Sequence, residues 1–376
     1  MQYFMKIKPL EPYSFGGEQG FAYPGETLGK ESYFVRSEQI PNQTTILGML
    51  RYAILSHTNQ LHSSFDYQED EQKQMAKYIG PASFSFTSRE RQEFGVIRRI
   101  SPVFLCNEKD EILIRNPFHN CSSGSGYVPM EMESRGFQTG QGEIRLPRKE
   151  AYDAKKGYGA GYINISSGRL EIEYDLFHSL FRTGNRKNNK QGREEDAFFK
   201  QELFCLKPGY SFGVFVDLKE EIEGIGQAAG GAKPAFVPEQ MILPFGKKRA
   251  MFQLQCSVSD QDLEEMVKQA FAAKNRQDGG AGDSQAASEK WYYALSDLYL
   301  DQSICHRSFA IVEKKYQRNL QTVHRSGKRG RLKKTEERLE LISSGSVFYG
   351  GYPEGILAGQ NASQIGYNRI IELGGK

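Results

Sequence analysis

The sequence predicts an α+β fold: two ferredoxin-like (RRM-like) domains with long insertions and Gly-rich loops. Three observations carry that prediction. The chain opens with a strand, a glycine-rich loop and then a helix. Later strands and helices mix without regular βαβα alternation. Aromatic residues make up 12% of the chain, with 20 Tyr and 24 Phe against a single Trp. Rings in that number favour pleated, half-buried surfaces. At 376 residues the chain is long enough for two domains, expected over 1–180 and 181–376. No repeat at a solenoid period is visible.

Residues 2–10 alternate, with Tyr3, Met5 and Ile7 on one face and Phe4, Lys6 and Lys8 on the other. This is a strand with one buried and one basic-aromatic face. The loop FGGEQGFAYPGETLG leads to PNQTTILGMLRYAILSH, where Asn42 can cap a helix. Ile46, Leu50 and Ile54, beside Leu47 and Ala53, form its apolar stripe. Residues 96–115 and 162–176 are predicted as strands, and FFKQELFCLKPGYSFGVFVDL (198–218) as a hairpin turning at Lys207-Pro208-Gly209. Helices are predicted over 259–275 and 288–302, joined by the flexible linker QDGGAGDSQAA. The chain closes with the strand ERLELISSGSVFYGG and the Gly-rich tail YPEGILAGQNASQIGYNRIIELGG.

Composition excludes several function classes. Formal charge is only +3, so local basic runs matter more than the total. Cys106, Cys121, Cys205, Cys256 and Cys305 form no CxxC or CxxH pair, which fits a reducing cytosol and neither a disulfide framework nor structural zinc. The N-terminus alternates, unlike a signal peptide, and no run reaches the roughly 18 apolar residues of a membrane span. A cytoplasmic protein without a membrane partner is expected.

Gly224-x-Gly226-x-x-Ala229 fits the dinucleotide fingerprint formally, but GGAKP follows where a helix should begin. A phosphate-loop match fails as well, because Ala232 follows Gly231 where lysine is required. Of the six histidines, none forms HExxH, and His57 and His62 miss the spacing that puts two ligands on one helix face. Glu194 and Glu195 would point to opposite faces of a strand. No catalytic group, metal or cofactor is expected, and the protein is not expected to be an enzyme.

Basic clusters are the stronger signal. In RTGNRKNNKQGREEDAFF (182–199), five basic residues and three asparagines precede the first acid. Gly246-Lys247-Lys248-Arg249 follows the apolar MILPF, and six basic residues lie between Arg325 and Lys334. Each cluster contains glycine, so backbone amides can approach phosphates while Arg and Lys neutralise them. Amides can bond base edges or sugars, and nearby aromatics can stack unpaired bases. Together with Phe4, Lys6 and Lys8, the clusters point to single-stranded RNA.

Arg182, Arg186, Lys187 and Lys190 are expected on phosphates, with Asn185 on a sugar or base edge. Gln43, Thr44 and Thr45 present amides and hydroxyls at a helix N-terminus, where the macrodipole favours an anion flanked by Gly16-Gly17. Gly345-Ser346 and Gly350-Gly351 are expected to press backbone against the RNA from the tail, since glycine so repeated suggests close approach.

The same residues resemble a known family. PLEPYSFGGEQGF and IPNQTTILGMLRYAIL are similar to the opening strand, Gly loop and "P-S-T-L-x-G-x-L-R" helix of the RAMP superfamily of CRISPR effector subunits. Arg51 stands at that motif's arginine. GNRKNNKQGREEDAFFKQELFCLKPGYSFGVFV resembles the "G-I-x-x-D-R-x-T…G-x-L-Y-x-x-E…G-x-x-F" block, PFGKKRA the "L-G-G-E-G-R" loop, and SSGSVFYGG…GQNASQIGYNRII the closing "G-S-V-Y…G-F-G" segment. The chain departs from these patterns at Phe15-Gly16-Gly17-Glu18, which lacks the arginine of "F-R-x-G". It departs again at Asn185-Arg186 for "D-R", and at Gly246-Lys247-Lys248-Arg249 within the glycine loop. Order, spacing and length are most similar to the Cmr-type subunit of type III-B complexes that grips the crRNA 5′ tag.

The resemblance implies two ferredoxin-like domains, no nuclease activity and a seat at the foot of an RNA-guided complex. There the protein would hold the repeat-derived 5′ handle of the guide RNA (crRNA). Its protein partners would be the large cyclase/polymerase-type subunit and the first backbone RAMP subunit, with target RNA met only indirectly. The rival expectation is a metal-independent endoribonuclease trimming precursor crRNA, for which His57 and His324 are the candidates. A target-cleaving backbone subunit is the third, and no distinctive acidic loop supports it.

Overall fold

Alternating side chains make the opening strand, β1 (Gln2–Pro9), two-faced. Met5 and Ile7 are fully buried on one side and Phe4 is buried on the other. The computed structural model describes residues 1–17, 19–20, 33–61, 68–122, 126–140, 142–148, 160–185, 198–222, 235–277, 290–300, 309–317, 321–326, 329–334, 338–350 and 359–373.

β2 (Gln19–Gly20) and β3 (Tyr33–Val35) lead to α1 (Gln43–His57) and α2 (Glu69–Ile79). The predicted stripe of α1 is real: Ile46, Leu50, Ala53 and Ile54 are fully buried. α2 begins with a capping box between Gln68 and Glu71, carries Glu69 and Asp70 in its first turn, and stops at Gly80, where φ is 86°. β4 (Ile97–Ile100), β5 (Phe104–Cys106) and β6 (Ile112–Arg115) fill the strand region expected over 96–115. β7 (Phe137–Thr139) and β8 (Gly142–Ile144) pair with each other. β9 (Tyr162–Asn164) and β10 (Leu170–Glu171) follow, and the stretch expected to end as strand at 176 closes instead with a helical turn, α3 (Glu173–Leu176).

Next come β11 (Phe177–Asn185), β12 (Phe198–Leu206), β13 (Ser211–Leu218), β14 (Gln240–Phe245), a 3-10 turn at Lys247–Arg249, β15 (Ala250–Val258) and α4 (Leu263–Gln277). The last part contains β16 (Trp291–Ala294), β17 (Ala310–Ile311), β18 (Lys314–Gln317), β19 (Gln321–Ser326) and β20 (Arg329–Lys334). β21 (Leu339–Ile342), β22 (Val347–Tyr349), α5 (Gly359–Gln364) and β23 (Ile370–Leu373) complete it.

The structure is mixed α+β, with mostly antiparallel sheets and few helices. Its largest sheet has nine strands in the order β10-β9-β6-β5-β13-β1-β15-β14, with β4 also pairing with β13. One face, with Met5, Ile7, Phe212, Val214, Phe252 and Leu254, packs under α1. On the other face Phe4, Phe104 and Phe215 share a core with Leu263, Val267 and Phe271 of α4 and with Trp291 and Tyr293. The expected basic-aromatic face of β1 is therefore corrected: Phe4 is covered by the later half of the chain, and Lys6 is paired with Asp110.

β13 and β15 flank β1 although they lie beyond residue 180, and β14 pairs with β15, so these three strands belong with the N-terminal sheet. A second sheet, ordered β17-β22-β16-β23, is built wholly from the last part of the chain. The helix expected over 288–302 is corrected to strand β16. Trp291, Leu295 and Leu298 mimic a helical stripe, but Trp291 pairs with both Tyr349 and Leu373, and this long-range ladder wins over spacing.

The hairpin expected over 198–218 is corrected too. Its turn exists, with Tyr210 N–H donating to the Lys207 carbonyl at 3.2 Å and Gly209 at φ 91°. Yet β12 pairs with β11 and β3 whereas β13 pairs with β1, β4 and β5, so the turn hands the chain from one sheet to another. Among the described residues no helix is long and apolar enough to cross a membrane.

Candidate nucleic-acid interface

The basic run that begins at Arg182 starts on the last residues of β11. β11 and β12 pair in continuous register from Phe177 opposite Leu206 to Asn185 opposite Phe198. Arg182 is exposed on that ladder, opposite Gln201. Arg186, Lys187 and Lys190 lie outside the described residues. The base of the hairpin is docked on the body: Tyr13 and Phe204 exchange backbone hydrogen bonds of 2.9 and 2.8 Å, and the rings of Phe34 and Phe181 sit 6.1 Å apart.

That docking leads directly to the first glycine loop. Tyr13 and Phe15 are buried with ring centroids 4.9 Å apart, and Phe15 packs on Phe245 at 5.2 Å, which anchors Ser14–Gly17 from beneath. Gly16 is exposed with open space where a side chain would stand. Gly17 has no such freedom: a Cβ there would lie 2.8 Å from the Arg36 carbonyl oxygen.

The second basic cluster sits against this loop. Lys247 N–H donates to the Ser14 carbonyl at 2.7 Å, and Gly246, at φ 78°, approaches so closely that a Cβ would lie 2.9 Å from the same oxygen. Lys248 and Arg249 then adopt φ of 57° and 58° with exposed side chains. Left-handed backbone costs a residue with a Cβ about 1–2 kcal/mol, and such strain collects at functional sites. Gly16, Gly17, Lys247, Lys248 and Arg249 thus share one neighbourhood with exposed Arg36 and the base of the hairpin. Cationic side chains around open backbone suit a polyanion.

The helix N-terminus is a different place. Gln43, with its amide oriented to satisfy both neighbours, donates to the Ile365 carbonyl at 3.1 Å and accepts from Val103 N–H at 2.8 Å. Thr44 Oγ1 accepts from Gln317 Nε2 at 2.9 Å, and Thr45 N–H bonds to the Asn42 carbonyl at 2.8 Å. A cavity of about 70 Å³ lies here, lined by Asn42, Gln43, Arg115, Asp297, Lys315 and Ser344 among others. Its cations are committed to protein: Arg115 pairs with Glu173, and Lys315 meets Asp297 at 3.0 Å and Glu38 at 3.5 Å. Burial opposes the charge of Lys315, but Asp297 and then Glu38 hold its ammonium well above the usual lysine range.

Three expected contacts face protein. Gly345 is buried at φ 94°, bonded to Ala294 and Phe118, and a Cβ there would fall 2.5 Å from the Phe118 ring and 2.8 Å from Arg115 Cγ. Ser346 is fully buried and accepts from Glu313 N–H at 3.3 Å. Arg51 donates to the Ala82 carbonyl at 3.0 Å, lies 5.8 Å from the Phe94 ring centre, and is pushed down to about 10 by burial. Gly345 and Ser346 are enclosed by protein neighbours, and Arg51 is half-buried against Ala82 and Phe94. Gly350 is exposed at φ 82°, and Gly351 lies outside the described residues.

His119 is fully buried, stacked on Trp291 at 4.3 Å and bonded to the Tyr127 hydroxyl, and burial pushes it down to about 3. It is neutral near physiological pH and fixed in a core. His57 is exposed at the end of α1, and His324 sits on β19 opposite Arg331. Among the described residues no group of three His, Cys, Asp or Glu could hold a metal ion. Sequence reasoning missed Arg36, Ser37 and Glu202. Ser37 N–H donates to Glu202 Oε2 at 3.1 Å across 165 residues of chain, a separation that leaves no local signal.

The chain is similar over 99% of its length, and 97% of the other chain, to a chain in a solved structure described as the type III-B Cmr-beta bound to cognate target RNA, at 15% identity and a TM-score of 0.48. A second such structure, with target RNA and AMPPnP in state 1, is similar over 98% of this chain and 96% of that one, at 16% identity and a TM-score of 0.45. No curated protein matches the chain in sequence. The family model of the CRISPR-associated protein (Cas_Cmr3) matches residues 5–373. The chain belongs to the Cas_Cmr3 family of CRISPR-associated proteins.

Proposed function

We propose that this protein is a non-catalytic RNA-binding and assembly subunit of a type III-B CRISPR effector complex. It grips the 5′ repeat-derived handle of the crRNA and bridges the large cyclase/polymerase-type subunit to the backbone RAMP subunit. The observation that carries the reading is the strained, exposed Lys248–Arg249 pair, which follows the Lys247 N–H bonded to Ser14 of the open Gly16 loop beside the β11–β12 hairpin. Phosphates bind there, Arg182 extends the basic track onto the hairpin, and target RNA is reached only through the guide. Family membership supports the setting, and the basic track supports the ligand.

Strand order supports a ferredoxin-like reading of both halves. In the first, β15-β1-β13-β5 are antiparallel and α1 intervenes between β1 and the β4–β5 strands. In the second, β23-β16-β22-β17 repeat that order with α5 between β22 and β23. The division then falls between β15 and α4 instead of at residue 180.

The test incubates purified protein with labelled single-stranded RNA carrying a 5′ handle, without metal. Salt-sensitive binding of intact RNA, weakened when the handle is scrambled, supports the reading. Cleavage of repeat RNA would favour the endoribonuclease alternative, with His57 and His324 as the residues to vary. Equal affinity for handle and scrambled RNA would remove the handle from the role.

A further inference from the structure

A carboxylate stands beside the proposed RNA loop, where charge alone would make it a liability. We propose that Glu202 is a positioning residue that fixes the Phe15–Gly17 loop for RNA phosphates. The inference rests on the reading of that loop as part of the RNA site. Glu202 lies on β12, opposite Phe181 at the base of the hairpin. Its Oε2 accepts the Ser37 N–H at 3.1 Å. Ser37 Oγ in turn accepts the Phe15 N–H at 3.0 Å and donates to the Glu38 carbonyl at 2.9 Å. Two residues beyond Phe15, Gly17 packs on the Arg36 carbonyl with no room for a Cβ.

The carboxylate thus holds the chain at 36–38, and that chain holds the loop from its far side while Lys247 N–H holds it at Ser14. The C-terminal part of the molecule closes the arrangement, because Glu38 meets Lys315 at 3.5 Å and Lys315 meets Asp297 at 3.0 Å. Backbone amides recognise a phosphate only when their directions are fixed beforehand. An acceptor on Ser37 supplies that fixing, and the acceptor function is separable from the negative charge. Glutamine keeps an acceptor oxygen and drops the charge, while alanine drops both.

The two variants give opposite signs for the two roles. If Glu202 matters only as a negative charge near phosphate, Glu202→Ala and Glu202→Gln both tighten binding. If it positions the loop, Glu202→Gln binds single-stranded handle RNA at least as well as wild type. Glu202→Ala then binds about tenfold more weakly, the scale of one lost charge-assisted hydrogen bond. The melting temperature of Glu202→Ala should stay within about 3 °C of wild type. Wild-type affinity in the alanine variant, tighter binding in both, or loss of affinity in step with loss of fold would each overturn the proposal.

Should Glu202→Ala not fold, Ser37→Ala asks the same question, since it strips the partner from Phe15 N–H. Weaker RNA binding in a folded Ser37→Ala supports positioning, and wild-type binding overturns it. The proposal stays separable from the function it builds on. If wild type itself binds no RNA, the functional reading fails. Amide exchange at Phe15 and Ser37 in RNA-free protein still decides the clamp: faster exchange in Glu202→Ala supports it, and unchanged exchange overturns it.

Discussion

Replacing Arg249 by glycine separates stability from function. The native φ of 58° is left-handed, and the neighbouring Lys248 shares it at 57°. A residue with a Cβ loses about 1–2 kcal/mol in that conformation. Glycine adopts it freely, but its looser unfolded chain takes back about 0.5–1 kcal/mol. The Arg249 side chain is exposed, so its loss opens no cavity. Arg249→Gly should therefore be as stable as wild type or up to about 1 kcal/mol more stable. Binding moves the other way. One phosphate contact to a single strand contributes about 0.7 to the slope of log affinity against log salt, and that contribution should vanish. Arg249→Ala is the control, losing the same contact while keeping the strained Cβ. Denaturant midpoints and RNA titrations across a salt series read both quantities. A less stable Arg249→Gly, or an unchanged salt slope, would refute the claim that strain here is retained for RNA.

Two further outcomes concern the interior. Gly345→Ala should lower stability by about 3 kcal/mol, because its Cβ enters the Phe118 ring at a left-handed position, while RNA affinity per folded molecule stays at the wild-type value. Thermal melting with an RNA titration checks both halves. His119 titrates near 6.5 when unfolded but is pushed to about 3 in the fold, so the unfolded chain takes up the proton first as pH falls. Its contribution is complete above the unfolded value and is lost as pH falls toward the folded one, amounting to about 2 kcal/mol between pH 7 and pH 5. Urea unfolding at the two pH values should show His119→Phe with a correspondingly flatter acid limb.

How much of this was legible in the sequence depends on the range of the interaction that decides each element. The buried face of β1 and the stripe of α1 were readable because Met5, Ile7, Ile46, Leu50 and Ile54 express local periodicity. The cover over Phe4 was not, since it comes from Leu263 and Phe271, far along the chain. Trp291–Ala294 looked helical because spacing was the only cue, whereas its two strand partners lie at 347–349 and 370–373.

The site divides the same way. The GKKR cluster and the first glycine loop were both visible as basic and open stretches. Their meeting, through Lys247 and Ser14, is a long-range contact. Glycines were the ambiguous letters: Gly16 is open to solvent while Gly345 is sealed beneath Phe118, and composition cannot tell the two uses apart.

Crosslinking of a handle-bearing guide RNA, photoreactive at each handle nucleotide in turn, tests the RNA-gripping surface most directly. Peptide mapping should find crosslinks at Phe15–Gly17, at Lys247–Arg249 and along the β11–β12 hairpin, and these should disappear at high salt with the binding itself. Crosslinks confined to the N-terminus of α1, to Gly345–Ser346 or to the second sheet would contradict that surface and move the RNA elsewhere on the molecule.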